Sequence, residues 1–119
     1  MKSPFLDKEI IIENQLSFSI YDGFPVSKGH ALILPKRVVA DIFDLNDQEY
    51  NSCFELVKKV RTILFKKFQP DGFNIGVNSG ETAGQTIFHA HMHLIPRYKN
   101  DVSNPRGGIR NVIPGKADY

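Results

Sequence analysis

The sequence predicts an α+β fold, an antiparallel sheet of about five strands with one long and one short helix. Three observations predict this class. Strand-like segments come first, a single long amphipathic segment follows, and two further strand-like segments lie after it. This order is typical of a helix packed on one face of an antiparallel sheet. At 119 residues the chain is long enough for a single core and too short for two.

The first half of the chain contains three predicted strands. "EIIIENQLSFSIYD" alternates on both sides of Asn14 and Gln15, which predicts two short strands with a turn between them. "DGFPVSKG" is rich in glycine and proline and predicts a loop. "HALILP", residues 30–35, is an almost continuous apolar run, the pattern of a strand covered on both faces.

The long helix is predicted to begin at Asn46. Asn46 and Glu49 have the spacing of a capping box, and Leu45 and Tyr50 that of a hydrophobic staple. Pro70 prevents the helix from continuing. A shorter helical turn is predicted over residues 38–43. The apolar stripe of the long helix consists of Tyr50, Phe54, Val57, Val60, Leu64 and Phe68.

Two later strands are predicted over residues 73–78 and 86–95, joined by the loop "SGETAGQ". Side chains two apart on a strand share a face, so three of the four histidines of the chain should point the same way. The other side chains should point onto the helix and the core. The histidine face holds Ile87, His89, His91, His93 and Ile95. The face toward the helix and core holds Phe88, Ala90, Met92 and Leu94.

Composition excludes several classes of protein. With 41% hydrophobic and 24% charged residues the chain has a globular composition, and its apolar runs are too short to span a membrane. A single cysteine, Cys53, excludes an internal disulfide framework and a multi-cysteine zinc site. The start of the chain lacks a signal-peptide pattern, so a cytoplasmic location is expected.

Charge is unevenly distributed along the chain. A net charge of +2 is too weak to indicate a nucleic-acid partner. Residues 96–119 hold five basic and two acidic side chains, a net charge of +3. This excess is either solvated surface charge or a field that attracts a small anion such as a phosphate chain.

Three histidines in alternation have three interpretations. A lone histidine on an apolar face is usually a satisfied core residue, but three in period make that reading poor. As metal ligands the three are badly spaced. On a strand the backbones of His89 and His93 would lie about 13 Å apart, too far for both ring nitrogens to reach one zinc ion at about 2.1 Å. Two neighbours would need a third ligand, and the only other histidine is His30.

Chemistry on phosphorus is the third interpretation and fits best. Imidazole has an unperturbed pKa near 6.5, so it is largely neutral and nucleophilic in the cytoplasm. Its attack on a phosphoryl centre forms a phosphorus–nitrogen bond that water can later break. Neighbouring imidazoles can fix the tautomer of the attacking ring, donate to phosphoryl oxygens or protonate the leaving group. No metal or cofactor is needed.

"HAHMHLI" resembles the His-x-His-x-His signature of the histidine triad (HIT) family. "DGFPVSKGHALILPKRV", "DGFNIGVNSGETAGQTIFHAHMHLIPR" and "PRGGIRNVIPGKADY" also resemble its small bacterial-type nucleotide hydrolases, similar to diadenosine polyphosphate hydrolases. The resemblance covers essentially the whole chain. It implies a single HIT-like domain over residues 1–119, in which residues 98–119 form a basic C-terminal tail.

The resemblance implies hydrolysis or transfer of nucleotides at the α-phosphate through a nucleotidyl-histidine intermediate. His91 matches the nucleophile of the family. His93 would contact the α-phosphate and assist the leaving group. His89 would lie at the edge of the site and help to orient it, and His30 would support the nucleophile from behind.

Four further residues match substrate-binding positions of the family. Asp22 falls where an acid or amide binds the ribose hydroxyls, and Asn78 where an amide contacts phosphate. Gln85 and Thr86 lie in the loop that leads to the triad. Asp22 and Asn78 could instead be turn residues. The glycines of the loop 79–86 could either approach phosphate or simply shape a hairpin.

Departures from the family narrow the expected function. "SPFLDK" replaces the N-terminal cysteine pair with which many relatives bind structural zinc, so no metal is expected. His93 argues against the branch that transfers nucleotides to sugar phosphates, which has glutamine there. Dinucleoside polyphosphates or nucleoside phosphoramidates are the expected substrates, and Arg97, Arg106 and Arg110 could hold a distal phosphate.

Two other functions stay open. A non-catalytic nucleotide-binding or interaction protein would use the same pocket, and a metal-dependent enzyme would use paired histidines. The resemblance implies a homodimer. The weak net charge and the short apolar runs predict neither nucleic acid nor membrane as a partner.

Overall fold

The computed structural model describes residues 3–119; Met1 and Lys2 lie outside the described residues. It contains one five-stranded antiparallel sheet of strand order β1-β2-β3-β5-β4 and one long helix, α1. The predicted α+β class is confirmed. The strands are β1 Ile10–Glu13, β2 Ser17–Tyr21, β3 Ala31–Pro35, β4 Gly72–Val77 and β5 Met92–Arg97, and α1 is Asp47–Phe68. Short 3-10 turns occupy Pro4–Asp7, Ile42–Asp44, Glu81–Ala83 and Gly108–Val112.

Helix α1 begins as its sequence predicts. The Asn46 side chain accepts the main-chain N–H of Glu49 at 2.9 Å, and the Glu49 carboxylate accepts that of Asn46 at 3.0 Å. This capping box satisfies two of the N–H groups that a helix start leaves unpaired. Gln69 ends the helix in the left-handed conformation, at φ 53°. The charge of Glu49 is also paired, because Arg37 donates to both of its carboxylate oxygens.

Helix α1 packs on one face of the sheet and forms the main core with β3 and β5. The predicted stripe is wrong at Phe54, which is 54% exposed. Cys53 and Leu56 are buried instead. Phe54 lies about 100° around the helix from Cys53, so it points away from the sheet. The core side chains of this layer are Ala31, Ile33, Cys53, Leu56, Val57, Val60, Leu64, Ala90, Met92 and Leu94, with Ile42 and Leu45 at its edge.

The short helical turn lies later than predicted. It spans Ile42–Asp44 rather than residues 38–43, because the Asp41 carboxylate caps it by accepting the main-chain N–H of Phe43 at 3.1 Å. A capping side chain of this kind fixes where a helical turn starts.

The last strand is also shorter at its start than predicted. β5 begins at Met92, whereas a strand over residues 86–95 was expected. The register pairs Ile33 with Met92, so Pro35 would come opposite Ala90. Proline has no N–H to donate, and the N–H of Ala90 bonds instead to the Val39 carbonyl at 2.7 Å. Consequently His89 and His91 precede the strand, and Phe88 is 49% exposed rather than packed on the core.

The face of the sheet opposite α1 carries the histidine of β5. Leu32 of β3 pairs directly with His93, so both side chains lie on this face, here called the open face. A second apolar cluster covers the part of the open face nearest β2; it consists of Phe5, Phe18, Ile20, Leu32 and Leu34, with Ile87 against it. In the part of the chain that the structure describes, no helix is long and apolar enough to cross a membrane.

Candidate functional site

Three imidazole rings lie side by side on the open face. His93 is in β5, His91 precedes that strand, and His30 precedes β3. The ring centroids of His91 and His93 are 5.1 Å apart, as are those of His30 and His93. The backbone places His30 through Gly29, whose φ of 90° favours glycine and where a Cβ would lie 2.7 Å from the Phe68 ring. The structure brings these three histidines together, but His30 hydrogen-bonds to His93 rather than supporting His91, as the resemblance implied.

Hydrogen bonds fix where His30 and His93 carry their protons. The main-chain N–H of Val26 donates to Nδ1 of His30 at 3.1 Å, so this nitrogen holds a lone pair and the neutral ring is protonated on Nε2. Nε2 of His30 lies 2.9 Å from Nδ1 of His93 and donates to it. His93 must then carry its own proton on Nε2. That nitrogen has no hydrogen-bond partner among residues 3–119, and it is the donor that the pair presents to a ligand.

His91 has the opposite tautomer. Its Nδ1 lies 2.7 Å from the main-chain oxygen of His89. A carbonyl oxygen only accepts, so Nδ1 of His91 carries the proton and Nε2 holds the lone pair. The ring is half-buried. His91 therefore offers a nucleophilic nitrogen beside the N–H donor of His93.

His89 differs from the expectation that all three triad rings line one wall. Its ring is 1% exposed, and both nitrogens are occupied by the protein. Nε2 donates to the Pro35 carbonyl at 2.8 Å, and Nδ1 accepts from the Ser3 hydroxyl at 2.7 Å. The ring cannot contact a ligand. His89 instead supports the site, through its main-chain oxygen on His91.

Burial keeps the supporting imidazoles neutral. Desolvation lowers the pKa of His30 and of His89 below the ordinary value. It lowers the pKa of His93 to about 4, with a further contribution from the neighbouring His91 and His30 rings. The hydrogen bonds of His30, His89 and His93 also require neutral rings, because each ring accepts through Nδ1 and carries its proton on Nε2.

Asp22 lies at the end of β2, beside the histidines. One carboxylate oxygen accepts the main-chain N–H of Phe24 at 2.9 Å, and the other lies 3.5 Å from Nε2 of His30. The main-chain N–H of Asp22 donates to the His30 carbonyl at 3.0 Å, which closes the loop between them. Asp22 is thus both a turn residue and a carboxylate at the rim of the site.

The three other predicted substrate-binding residues lie in and before the loop 79–86. Asn78 directly follows β4 at the end where Val77 pairs with Met92, and it is half-buried. Gln85 is buried and braces the loop: its amide accepts from Gly80 N–H and donates to two main-chain carbonyls, those of Ala40 and Ile87. Thr86 is exposed. The side chain of Gln85 is therefore engaged by the protein itself.

The C-terminal tail crosses the β4 side of the open face. Its 3-10 turn Gly108–Val112 contacts β4, and Ile109 lies over Gly76. A cavity of about 500 Å³ remains between the tail and the sheet beyond His93, lined in part by Asn74 and Ile95.

Arg97, the last residue of β5, and the tail residues Arg106 and Arg110 all contact other side chains of the protein, and their role as ligands of a distal phosphate stays a prediction. Arg97 donates to both oxygens of Asp101, at 2.7 and 2.9 Å, and to the Asn74 side chain at 2.6 Å. This pairing holds the pKa of Asp101 well below its usual range. The guanidinium carbons of Arg106 and Arg110 lie 4.7 and 4.5 Å from the centroid of the Tyr119 ring.

One group of side chains within residues 3–119 has metal-like spacing. Ligand atoms of Asp22, His30 and His93 lie within 4.8 Å of one another. A neutral imidazole has a single lone pair, and that of His30 accepts the N–H of Val26 through Nδ1. Nε2 of His30 is thus a donor and cannot bind a cation while this bond exists. The donor set does not fit a metal ion.

Sequence reasoning missed four supporting groups: the Ser3 hydroxyl, the Phe5 ring, the Val26 N–H and the Pro35 carbonyl. Each contacts a histidine. No local pattern could have identified them, because three of the four contacts join residues more than 50 positions apart and the fourth uses a main-chain group of an exposed loop.

The fold and the site define an α+β protein whose open sheet face carries hydrogen-bonded imidazoles, in which the adjacent His91 and His93 are protonated on opposite ring nitrogens. The chain belongs to the HIT domain family, which matches residues 4–100.

Known proteins support this assignment. The chain is 35% identical over 96 residues to bis(5'-adenosyl)-triphosphatase of Dictyostelium discoideum, covering 81% of this chain and 64% of that protein. It is 38% identical over 87 residues to adenosine 5'-monophosphoramidase hnt1 of Schizosaccharomyces pombe, covering 73% and 62%. A crystal structure of a HIT family protein from Bacillus anthracis superposes with a TM-score of 0.74 at 41% identity, covering 79% and 67%. The chain thus spans less than two thirds of the length of these two curated relatives.

Proposed function

We propose that this protein is a nucleotide hydrolase that acts at the α-phosphate through a covalent nucleotidyl-histidine intermediate on His91. One observation carries the proposal: adjacent rings present opposite tautomers. His91 offers a lone pair on Nε2 because its Nδ1–H bonds to the His89 carbonyl. His93 offers a proton on Nε2 because its Nδ1 accepts from His30. A nucleophile and a hydrogen-bond donor therefore lie side by side, with ring centroids 5.1 Å apart.

In the first step Nε2 of His91 attacks the α-phosphorus. A phosphorus–nitrogen bond forms, the bond from phosphorus to the leaving group breaks, and its electron pair departs with the leaving group. The attacking ring becomes cationic, and the main-chain oxygen of His89 stabilises that charge at Nδ1–H. Nε2–H of His93 donates to a phosphoryl oxygen or to the leaving atom.

In the second step water attacks the same phosphorus. The phosphorus–nitrogen bond breaks, its electron pair returns to Nε2 of His91, and a nucleoside monophosphate leaves. The proton released by water passes to solvent or to a neighbouring group of the site. Two displacements of moderate difficulty replace one difficult displacement.

The rim of the site suits a nucleoside. Asp22 holds a carboxylate near His30, in place to accept hydrogen bonds from ribose hydroxyls. Asn78 directly follows the pair Val77 and Met92 at the end of β4, and we assign to its amide a contact to phosphate. The substrate classes are dinucleoside polyphosphates and nucleoside phosphoramidates, in keeping with the names of the two relatives. The pairing of Arg97 with Asp101 removes one reason to favour polyphosphates.

The same proposal includes a homodimer in the cytoplasm. β4 is an edge strand of the sheet, and edge strands are templates for pairing with another chain. Ile75 of β4 is 46% exposed and lies beside Phe54 of α1, which is 54% exposed. An unpaired edge flanked by an apolar patch fits a second copy of the chain. The one cysteine, Cys53, is free and buried, in keeping with a reducing compartment.

Turnover of diadenosine tetraphosphate and of adenosine phosphoramidate, measured side by side, tests the function and ranks the two substrate classes. His91→Ala should abolish turnover of both, by at least about 1,000-fold if the covalent route is lost. Wild-type turnover by His91→Ala would contradict the proposal. Tight nucleotide binding by wild type without turnover of either compound would favour a non-catalytic binding protein.

A metal-dependent enzyme is the remaining alternative. It is disfavoured because Nε2 of His30 carries a proton and has no lone pair for a metal ion. Turnover should therefore persist after exhaustive chelation. A loss that added zinc or manganese restores would favour the metal-dependent route.

A further inference from the structure

The segment Ser3–Phe5 is held against the histidines by buried hydrogen bonds. The Ser3 hydroxyl oxygen accepts the main-chain N–H of Phe5 at 3.2 Å and donates to Nδ1 of His89 at 2.7 Å. His89 in turn donates through Nε2 to the Pro35 carbonyl at the end of β3. Ser3 is 5% exposed and His89 is 1% exposed. A buried network in which every member is satisfied is rigid.

The Phe5 ring lies in the corner between two rings of the triad. Its centroid is 5.0 Å from that of His91, with the planes at 67°, and 6.2 Å from that of His89. The edge-on geometry with His91 is a favoured aromatic arrangement. Phe5 is 8% exposed, so the contact is enclosed by protein.

These contacts constrain His91 in two complementary ways. The His89 carbonyl fixes which nitrogen carries the proton. A single hydrogen bond still lets the ring turn about its side-chain bonds, and the Phe5 ring packs edge-on against it and restricts that motion. His89 links the two constraints. Its carbonyl bonds to His91, and its ring bonds to the Ser3 hydroxyl, which in turn accepts the main-chain N–H of Phe5.

We propose that Ser3 and Phe5 are positioning residues that aim Nε2 of His91 at the phosphorus. This inference rests on the proposed function. Neither residue needs to touch the substrate. They act by holding the nucleophile in line, and a misplacement of about 1 Å in a reacting group can cost on the order of 100-fold in rate.

The test uses Ser3→Ala, which removes the hydroxyl, and Phe5→Leu, which keeps an apolar side chain without the ring and is the milder change. Each should lower kcat about 10-fold while KM stays within about twofold, because the change affects the orientation of the His91 ring rather than substrate binding. Ser3→Thr, which retains a hydroxyl, should restore most of the lost kcat. Ser103→Ala and Phe43→Leu are matched controls at exposed positions and should behave as wild type.

Nitrogen-15 NMR of the imidazole rings gives a readout that does not depend on turnover. In wild type His91 should show one tautomer, protonated on Nδ1. Ser3→Ala should show a mixture of both, because His89 loses the hydrogen bond that holds it in place beside His91. Phe5→Leu should keep the wild-type tautomer and lower kcat alone, because the His89 carbonyl is left unchanged. Variants that unfold at lower denaturant but keep wild-type kcat and a single His91 tautomer would overturn the inference, since Ser3 and Phe5 would then only stabilise the fold.

His91→Ala in the same assays separates the two proposals. Turnover that survives in His91→Ala defeats the proposed function. Turnover that is lost in His91→Ala but normal in Phe5→Leu and Ser3→Ala defeats only the positioning role.

Discussion

Nδ1 of His91 lies 2.7 Å from the main-chain oxygen of His89, two residues earlier in the chain. His89 thus sets the tautomer of His91, the proposed nucleophile, through its main-chain oxygen, while its own ring is buried and bonded to Ser3 and Pro35. The first and second histidines of the triad therefore do different work. One is structural and the other presents a free lone pair.

His30→Ala should slow turnover without abolishing it. Its loss leaves Nδ1 of His93 without its donor, so His93 can take either tautomer and presents its Nε2–H only part of the time. We expect kcat to fall about 10- to 100-fold, less than a full general acid–base contribution of about 100- to 10,000-fold, because His93 still presents its proton part of the time. Steady-state kinetics with either substrate measures it. An unchanged kcat would show that His30 does not control the proton of His93.

Acid should destabilise the protein. The pKa of His30, His89 and His93 is lowered in the folded state, to about 4 for His93, so below pH 6.5 the unfolded chain binds more protons than the folded one. Stability is complete above about pH 6.5 and falls as the pH drops towards 4. Each histidine that stays neutral at pH 5 lowers the free energy of unfolding by up to about 2 kcal/mol relative to pH 7.

Urea unfolding at pH 7 and pH 5 measures this dependence. His93→Gln cannot titrate at that position and should show a smaller loss between the two pH values. Equal losses in wild type and variant would mean that the burial of His93 does not contribute to the pH dependence.

Ile75→Lys should disrupt the proposed dimer. It places a charge on the exposed edge strand β4, next to Phe54, and an edge lysine opposes strand pairing. Sedimentation velocity should show a dimer for wild type and a monomer for the variant. Leu6→Lys, at a residue 45% exposed and outside β4 and α1, is the matched control and should remain dimeric. A monomeric wild type would contradict the proposal, as would a dimeric Ile75→Lys.

Structural features that depend only on residues close together in the sequence were predictable from it. The start of α1 depends on Asn46 and Glu49, three positions apart, and the cap forms as expected. The burial of β3 follows from a short apolar run, and every residue of that strand is buried. Such features need no knowledge of the rest of the fold.

Features that depend on distant contacts were not predictable. β5 starts late because Pro35, which would face Ala90, has no N–H to donate. The burial of the His89 ring depends on Ser3, 86 positions away. Alternation placed His91 and His93 together correctly, but their opposite tautomers arise from the His89 carbonyl and the His30 ring, which only the folded chain brings into contact.

The most direct measurement is capture of the covalent intermediate. Wild type is mixed for milliseconds with a nucleotide labelled at the α-phosphate and quenched in base, in which a phosphorus–nitrogen bond to histidine survives. The labelled peptide is then mapped by mass spectrometry. Label on His91, formed at least as fast as turnover and absent from His91→Ala, is the predicted result. Turnover with no label on His91 at any time, or equal labelling of His91→Ala, would contradict the account.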